Sequence, residues 1–151
     1  MRLKIELNTG ERFHVLEPVK RSLHIASRWF SGAAEISTYR LEELLGTKLR
    51  ALYQRKKCRD LFDLWHASNL ANPDPAVIAR CFTEYLKRSS LTVSRAEFEE
   101  NLIRKMRDRI SLSDVVPLLA PGVPWDPEAA ATYLLQRILP SLPGKPWKSG
   151  G

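Results

Sequence analysis

Lys48, Asp60 and Asp63 are the residues whose types and spacing could do chemistry together. Lys48 lies four residues after Leu44 and four before Leu52, on the apolar stripe of a helical pattern. An ammonium group there either snorkels to the edge of the stripe or meets an anion in a cleft. The run Arg59-Asp60-Leu61-Phe62-Asp63-Leu64-Trp65 sets two carboxylates three apart, on neighbouring positions of one helix face and among large apolar side chains. Buried carboxylates need partners. On one reading Asp60 caps its helix or pairs with Arg55 or Arg59. On the other, Lys48 and one of the aspartates meet across a helix–turn–helix and face an anionic ligand. Lysine would then hold phosphate as a point charge. The aspartate would position that lysine or act on a proton.

These residues need helices to carry them. Leu41, Leu44, Leu45, Leu49 and Leu52 recur at spacings of three and four, which predicts a helix over 39–57, with Thr38 as its N-cap and Glu42 and Glu43 in its first turns. A second helix is predicted over 59–70, ended by Asn72-Pro73. Asp74-Pro75 opens a third to residue 88. Ser94 with Glu97 three residues on is a capping box opening a helix to residue 109. A short helix is expected over 111–119, and Asp126-Pro127 opens a last one to residue 139. Upstream, Leu3, Ile5 and Leu7 alternate with Arg2, Lys4 and Glu6, the pattern of a half-buried strand over 2–8. A turn at 8–11 and a return strand over 12–16 follow. Residues 18–36 are ambiguous, with a short strand possible at 35–38. The composition of 141–151 is that of a loose tail.

Composition bounds the class. The 151 residues are 44% hydrophobic and 27% charged, ordinary for one globular domain and wrong for a disordered or fibrous chain. There is no apolar run long enough to cross a membrane and no signal-peptide block, so a soluble cytoplasmic protein is expected. The net charge of +7 favours anionic partners or simply a solvated basic surface. That excess has a focus: residues 40–59 hold seven basic side chains against Glu42 and Glu43. Cys58 and Cys81 form no CxxC pair, and His14, His24 and His66 are scattered, so neither zinc nor a thiol nucleophile is indicated.

Residues 42–64, EELLGTKLRALYQRKKCRDLFDL, resemble the helical signature of the AbiEii/AbiGii-type toxins of bacterial toxin–antitoxin and abortive-infection systems. These are nucleotidyltransferases with a polymerase-β-like palm. Residues 3–8, LKIELN, are similar to the family's short strand motif. The resemblance is specific over 39–66 and loose beyond residue 70. It implies an α+β fold, in which a small antiparallel β element, the remnant of a palm, precedes a helical domain. The corresponding division is 1–38 as partial palm, 39–140 as helical C-terminal domain and 141–151 as flexible tail.

The same resemblance implies site residues. Lys48 matches the lysine that contacts the nucleotide, and Asp63 or Asp60 matches the downstream catalytic aspartate, with Asp63 favoured. Arg55 and Arg59 match basic nucleotide-binding residues, or are surface charge. Glu6 matches a metal-facing acid, or is an exposed strand residue beside Lys4. The implied cofactor is Mg²⁺. The implied partners are an NTP, an RNA or protein acceptor, and a cognate antitoxin protein. One family motif has no counterpart here: a Gly-Ser or Gly-Gly turn followed by Asp-x-Asp. Two-metal transfer needs such clustered carboxylates. The expectation is therefore the C-terminal part of such an enzyme, inactive alone. The alternatives are a non-catalytic helical module that binds an antitoxin or RNA, and a decayed remnant.

Overall fold

The computed structural model describes residues 13–108 and 112–148. It shows an α+β chain: a two-stranded antiparallel sheet followed, among the described residues, by five helices. Strands β1 (Val19–Ala26) and β2 (Ser31–Thr38) pair from Val19↔Thr38 to Ala26↔Ser31. The Ser27 side chain closes their turn, accepting from the Trp29 and Phe30 amides. The helices are α1 (Leu41–Gln54), α2 (Arg59–Ala71), α3 (Pro75–Arg88), α4 (Arg95–Met106) and α5 (Pro127–Tyr133). The last continues through a π turn (Leu134–Ile138) into a 3-10 turn (Leu139–Ser141).

The core is helical. Leu45, Leu49 and Leu52 of α1 meet Leu61 and Leu64 of α2, Ile78, Phe82 and Leu86 of α3, and Phe98 and Leu102 of α4. Each such side chain contributes about 1.5–3 kcal/mol by burial. Leu44 is the exception on the predicted α1 stripe. It stays exposed because it lines a cleft.

Local chemistry sets the helix ends. The Asp74 carboxylate accepts from the Ala76 and Val77 amides, Asp126 accepts from Glu128 and Ala129, and Ser94 forms a full capping box with Glu97. Asn72, in the left-handed region at φ 44°, ends α2.

Several expectations need correction. Position 40, not Thr38, precedes α1, and Arg40 makes no side-chain cap there. Helix α1 stops at Gln54, three residues early, where Arg55 turns extended, and the Lys105 ammonium satisfies the Leu52 and Tyr53 carbonyls left free. Over 112–119, Leu112 and Ser113 are helical and a 3-10 turn (Val116–Leu118) follows, so the expected helix is interrupted within the described residues. The ambiguous stretch 18–36 supplies most of a hairpin that runs to Thr38, while residues 13–16 are not a strand. The Val15 and Leu16 amides donate to the Glu43 carboxylate at 2.7 and 2.9 Å, so they are not available to a ladder. The strand expected over 2–8 lies outside the described residues. The start of the tail is docked: Leu142 is buried, the Pro143 carbonyl accepts from the Arg95 amide, and the Trp147 amide donates to Glu99.

Candidate functional site

Helices α1 and α2 run into one another through residues 55–58, and this short connection folds α2 back onto α1. Lys48 is thereby brought against both aspartates. Its Nζ lies 2.8 Å from Asp63 Oδ2 and 3.3 Å from Asp60 Oδ1. The two carboxylates can share one ammonium because they are three apart on α2.

The two aspartates sit in different surroundings. The Asp60 side chain is 2% exposed, and its Oδ2 has no hydrogen-bond partner among the described residues. Asp63 is 40% exposed and Lys48 43%. Burial acts to lower the Lys48 pKa. The hydrogen bond and charge of Asp63, then the charge and hydrogen bond of Asp60, outweigh it, and the pKa lies above the ordinary lysine value of 10.5. Lys48 is therefore a fixed cation at neutral pH.

A cleft of about 510 Å³ opens beside this triad, a size that suits a small ligand. Two adjacent rows of α1 line it: Glu43, Thr47, Arg50 and Gln54, and Leu44, Lys48, Ala51 and Arg55. Asp60, Tyr39 and Tyr85 complete the wall. Three cations, Lys48, Arg50 and Arg55, share this lining with the Glu43 and Asp60 carboxylates, so an anionic ligand would meet positive charge on both rows.

Of the residues expected at a site, Lys48, Arg55 and Asp60 line this cleft, and Asp63 joins it through Lys48. Arg59 is exposed at the start of α2 and is not part of the lining. Glu6 lies outside the described residues. Asp60 neither caps its helix, whose preceding residue is Cys58, nor pairs with Arg55 or Arg59.

Sequence reasoning missed three contributors. Glu43 is fully buried and accepts from the Val15 and Leu16 amides and the Tyr85 hydroxyl, at 2.9 Å for the last. It pins the segment before the hairpin to α1 and α3. Arg50 lies over the Tyr85 ring, 5.1 Å from its centroid, and Tyr85 contacts Phe13 at 4.7 Å. The polar spacing 43, 47, 50, 54 was the available signal.

The thiols take no part. Burial foremost pushes both Cys58 and Cys81 up to about 11, with the Asp114 and Glu43 charges adding respectively. Among the described residues no group of three or more His, Cys, Asp or Glu side chains could hold a metal ion. No described helix is long and apolar enough to cross a membrane.

A protein-family model described as "Nucleotidyl transferase AbiEii toxin, Type IV TA system" matches residues 1–130. No curated protein and no solved structure matches the chain.

Proposed function

Because the chain belongs to the AbiEii nucleotidyl transferase toxin family, we propose that its α1–α2 cleft binds the phosphates of an NTP in the transfer of a nucleotide to RNA or protein. The observation that carries this is the Lys48 ammonium, held between Asp60 and Asp63 beside Arg50 and Arg55 on one cleft wall. Lys48 and Arg55 hold phosphate oxygens, and Arg59, at the start of α2, adds positive charge outside the lining. Asp60, buried and within 3.3 Å of the ammonium, is a positioning residue for Lys48.

In the transfer, a hydroxyl oxygen of the acceptor bonds to the α-phosphorus and the bridging bond to the β-phosphate breaks. Pyrophosphate leaves with that electron pair. We assign the hydroxyl proton to Asp63, the more exposed carboxylate. Cationic side chains at the phosphates stabilise the charge that develops there.

Mg²⁺, implied by the family relationship, would supply activation of the attacking oxygen and charge neutralisation. The described residues do not fit it. Asp60 and Asp63 already face an ammonium, and three donors engage the Glu43 carboxylate. Glu6 remains the proposed metal-facing acid. A cognate antitoxin is the proposed protein partner, and the cytoplasm the proposed compartment.

Nucleotide binding is the direct test. Fluorescent analogues of each of the four NTPs should bind the full chain, and Lys48→Ala should weaken that binding by about tenfold or more, equivalent to about 1.4 kcal/mol. Arg55→Ala should weaken it less. Equal affinity in Lys48→Ala and wild type would overturn the assignment. It would favour the non-catalytic reading, in which the helices bind an antitoxin or RNA.

A further inference from the structure

A second cleft, of about 460 Å³, opens between the C-terminal end of α1 and the outer face of α4. From α4 come Asn101, Arg104 and Lys105, spaced three and one apart on one helix face, and Asp108 follows just past the helix end. From the end of α1 come Tyr53, Gln54, Arg55 and Lys56. Four cations thus converge on a space lined by one carboxylate.

Their roles divide. The Lys105 ammonium caps the Leu52 and Tyr53 carbonyls, the latter at 3.0 Å, and neutralises the negative end of α1. Arg55, Lys56 and Arg104 are exposed and make no ion pair among the described residues, although the ion-paired lysines Lys48 and Lys87 show that such pairs form elsewhere on this fold. Like charges gathered this way repel unless an anion joins them. Gln54 and Arg55 line both clefts, so the two spaces are contiguous over the last turn of α1.

We propose that the second cleft binds the phosphodiester backbone of a single RNA strand that runs from it into the first. The non-ionic lining favours nucleic acid over an acidic peptide. The Tyr53 ring, set 5.3 Å from Phe98, offers a stacking face, and the exposed Gln54 carboxamide suits a base edge. Strand binding stands on this cleft's own charges. Only its identification as the acceptor rests on the nucleotidyl-transfer reading.

The test is fluorescence anisotropy of a labelled oligouridylate against the full chain over a series of salt concentrations. Lys56→Gln with Arg104→Gln should weaken binding by about tenfold and flatten the log-affinity against log-salt slope by about 1.4, roughly 0.7 per lost phosphate contact on a single strand. Both positions are exposed, so the fold should survive, which circular dichroism checks. Lys145→Gln with Lys148→Gln removes the same charge from the docked tail and should leave affinity within about twofold. Unchanged binding in the first pair, or an equal loss in the second, overturns the proposal. NTP binding by Lys48→Ala is scored separately. RNA binding that survives failure of the nucleotide test leaves this cleft standing, and the reverse result removes it alone.

Discussion

Two lysines show how differently a partly buried ammonium can be handled. Lys48 is held by two carboxylates and its pKa is raised, so the stability from its pairing is fully present below the unfolded value and is lost only as pH rises through the folded one. Among the described residues Lys105 has no carboxylate within ion-pair distance. Burial, above all, lowers its pKa to about 8, against an ordinary 10.5. Between these two values the unfolded chain binds more protons than the folded one at this position, so its contribution to stability rises with pH. The urea midpoint of wild type should therefore gain on that of Lys105→Met between about pH 8 and pH 10, with little relative change between pH 6 and pH 7. A constant gap across the whole range would mean that Lys105 titrates normally. The first of these residues was legible in the sequence, since a lysine on an apolar stripe with Asp60 and Asp63 downstream demands an explanation. Lys105 was not, because its partners are backbone carbonyls of α1 that no side-chain pattern announces.

At the scale of elements, α1 does most of the positioning. One side of it closes on α3, and the contact is tightest at Gly46. A Cβ there would stand 2.6 Å from Cys81 Cβ, 3.0 Å from the Phe82 amide nitrogen and 3.2 Å from the Ile78 carbonyl. Two of those atoms are backbone, so only a separation of the helices could make room. An exposed helical glycine gains about 1 kcal/mol on replacement by alanine. Overpacking of this kind costs about 1–3 kcal/mol, so the net effect of Gly46→Ala should be destabilising. Its thermal midpoint should fall by several degrees, at roughly 2–4 °C per kcal/mol for a chain of this size. An unchanged or higher midpoint would show that α1 and α3 part freely. The helices were legible because their signals are local: Asp74-Pro75, Asp126-Pro127 and the Ser94–Glu97 box all act as read. The hairpin was not legible. Ser22, Ala26, Gly32, Ala33 and Ala34 dilute its alternation, and strand pairing is a long-range choice. The segment at 13–16 misled for the opposite reason, since Phe13 and Val15 alternate as a strand would while Glu43 takes the amides.

For the whole molecule, the division is between that hairpin and the helical body. The strands pack chiefly on each other, and nearly every residue of both is exposed. One face carries Val19, Leu23, Ile25, Ala34 and Ile36, and the turn presents Trp29 at 81% exposure with Arg28 over its ring. A lone two-stranded hairpin is marginal in water. The helical body instead shares one continuous core from α1 to the turns after α5. Its last contribution comes from Leu142, which ties the docked tail to the same unit. The two parts should consequently open with different free energies. Hydrogen exchange should be fast for amides of 19–38 and slow for those of α1 and α3. Leu23→Ser with Ile36→Ser should move the helical unfolding transition by no more than about 0.5 kcal/mol, the range of surface changes. Hairpin amides protected as strongly as the Leu49 and Phe82 amides would contradict this, and so would a large drop in helix stability on the double substitution. Either outcome would mean that the apolar face of the hairpin is covered in solution. The unit of folding would then extend beyond the helices that hold Lys48, Asp60 and Asp63 together.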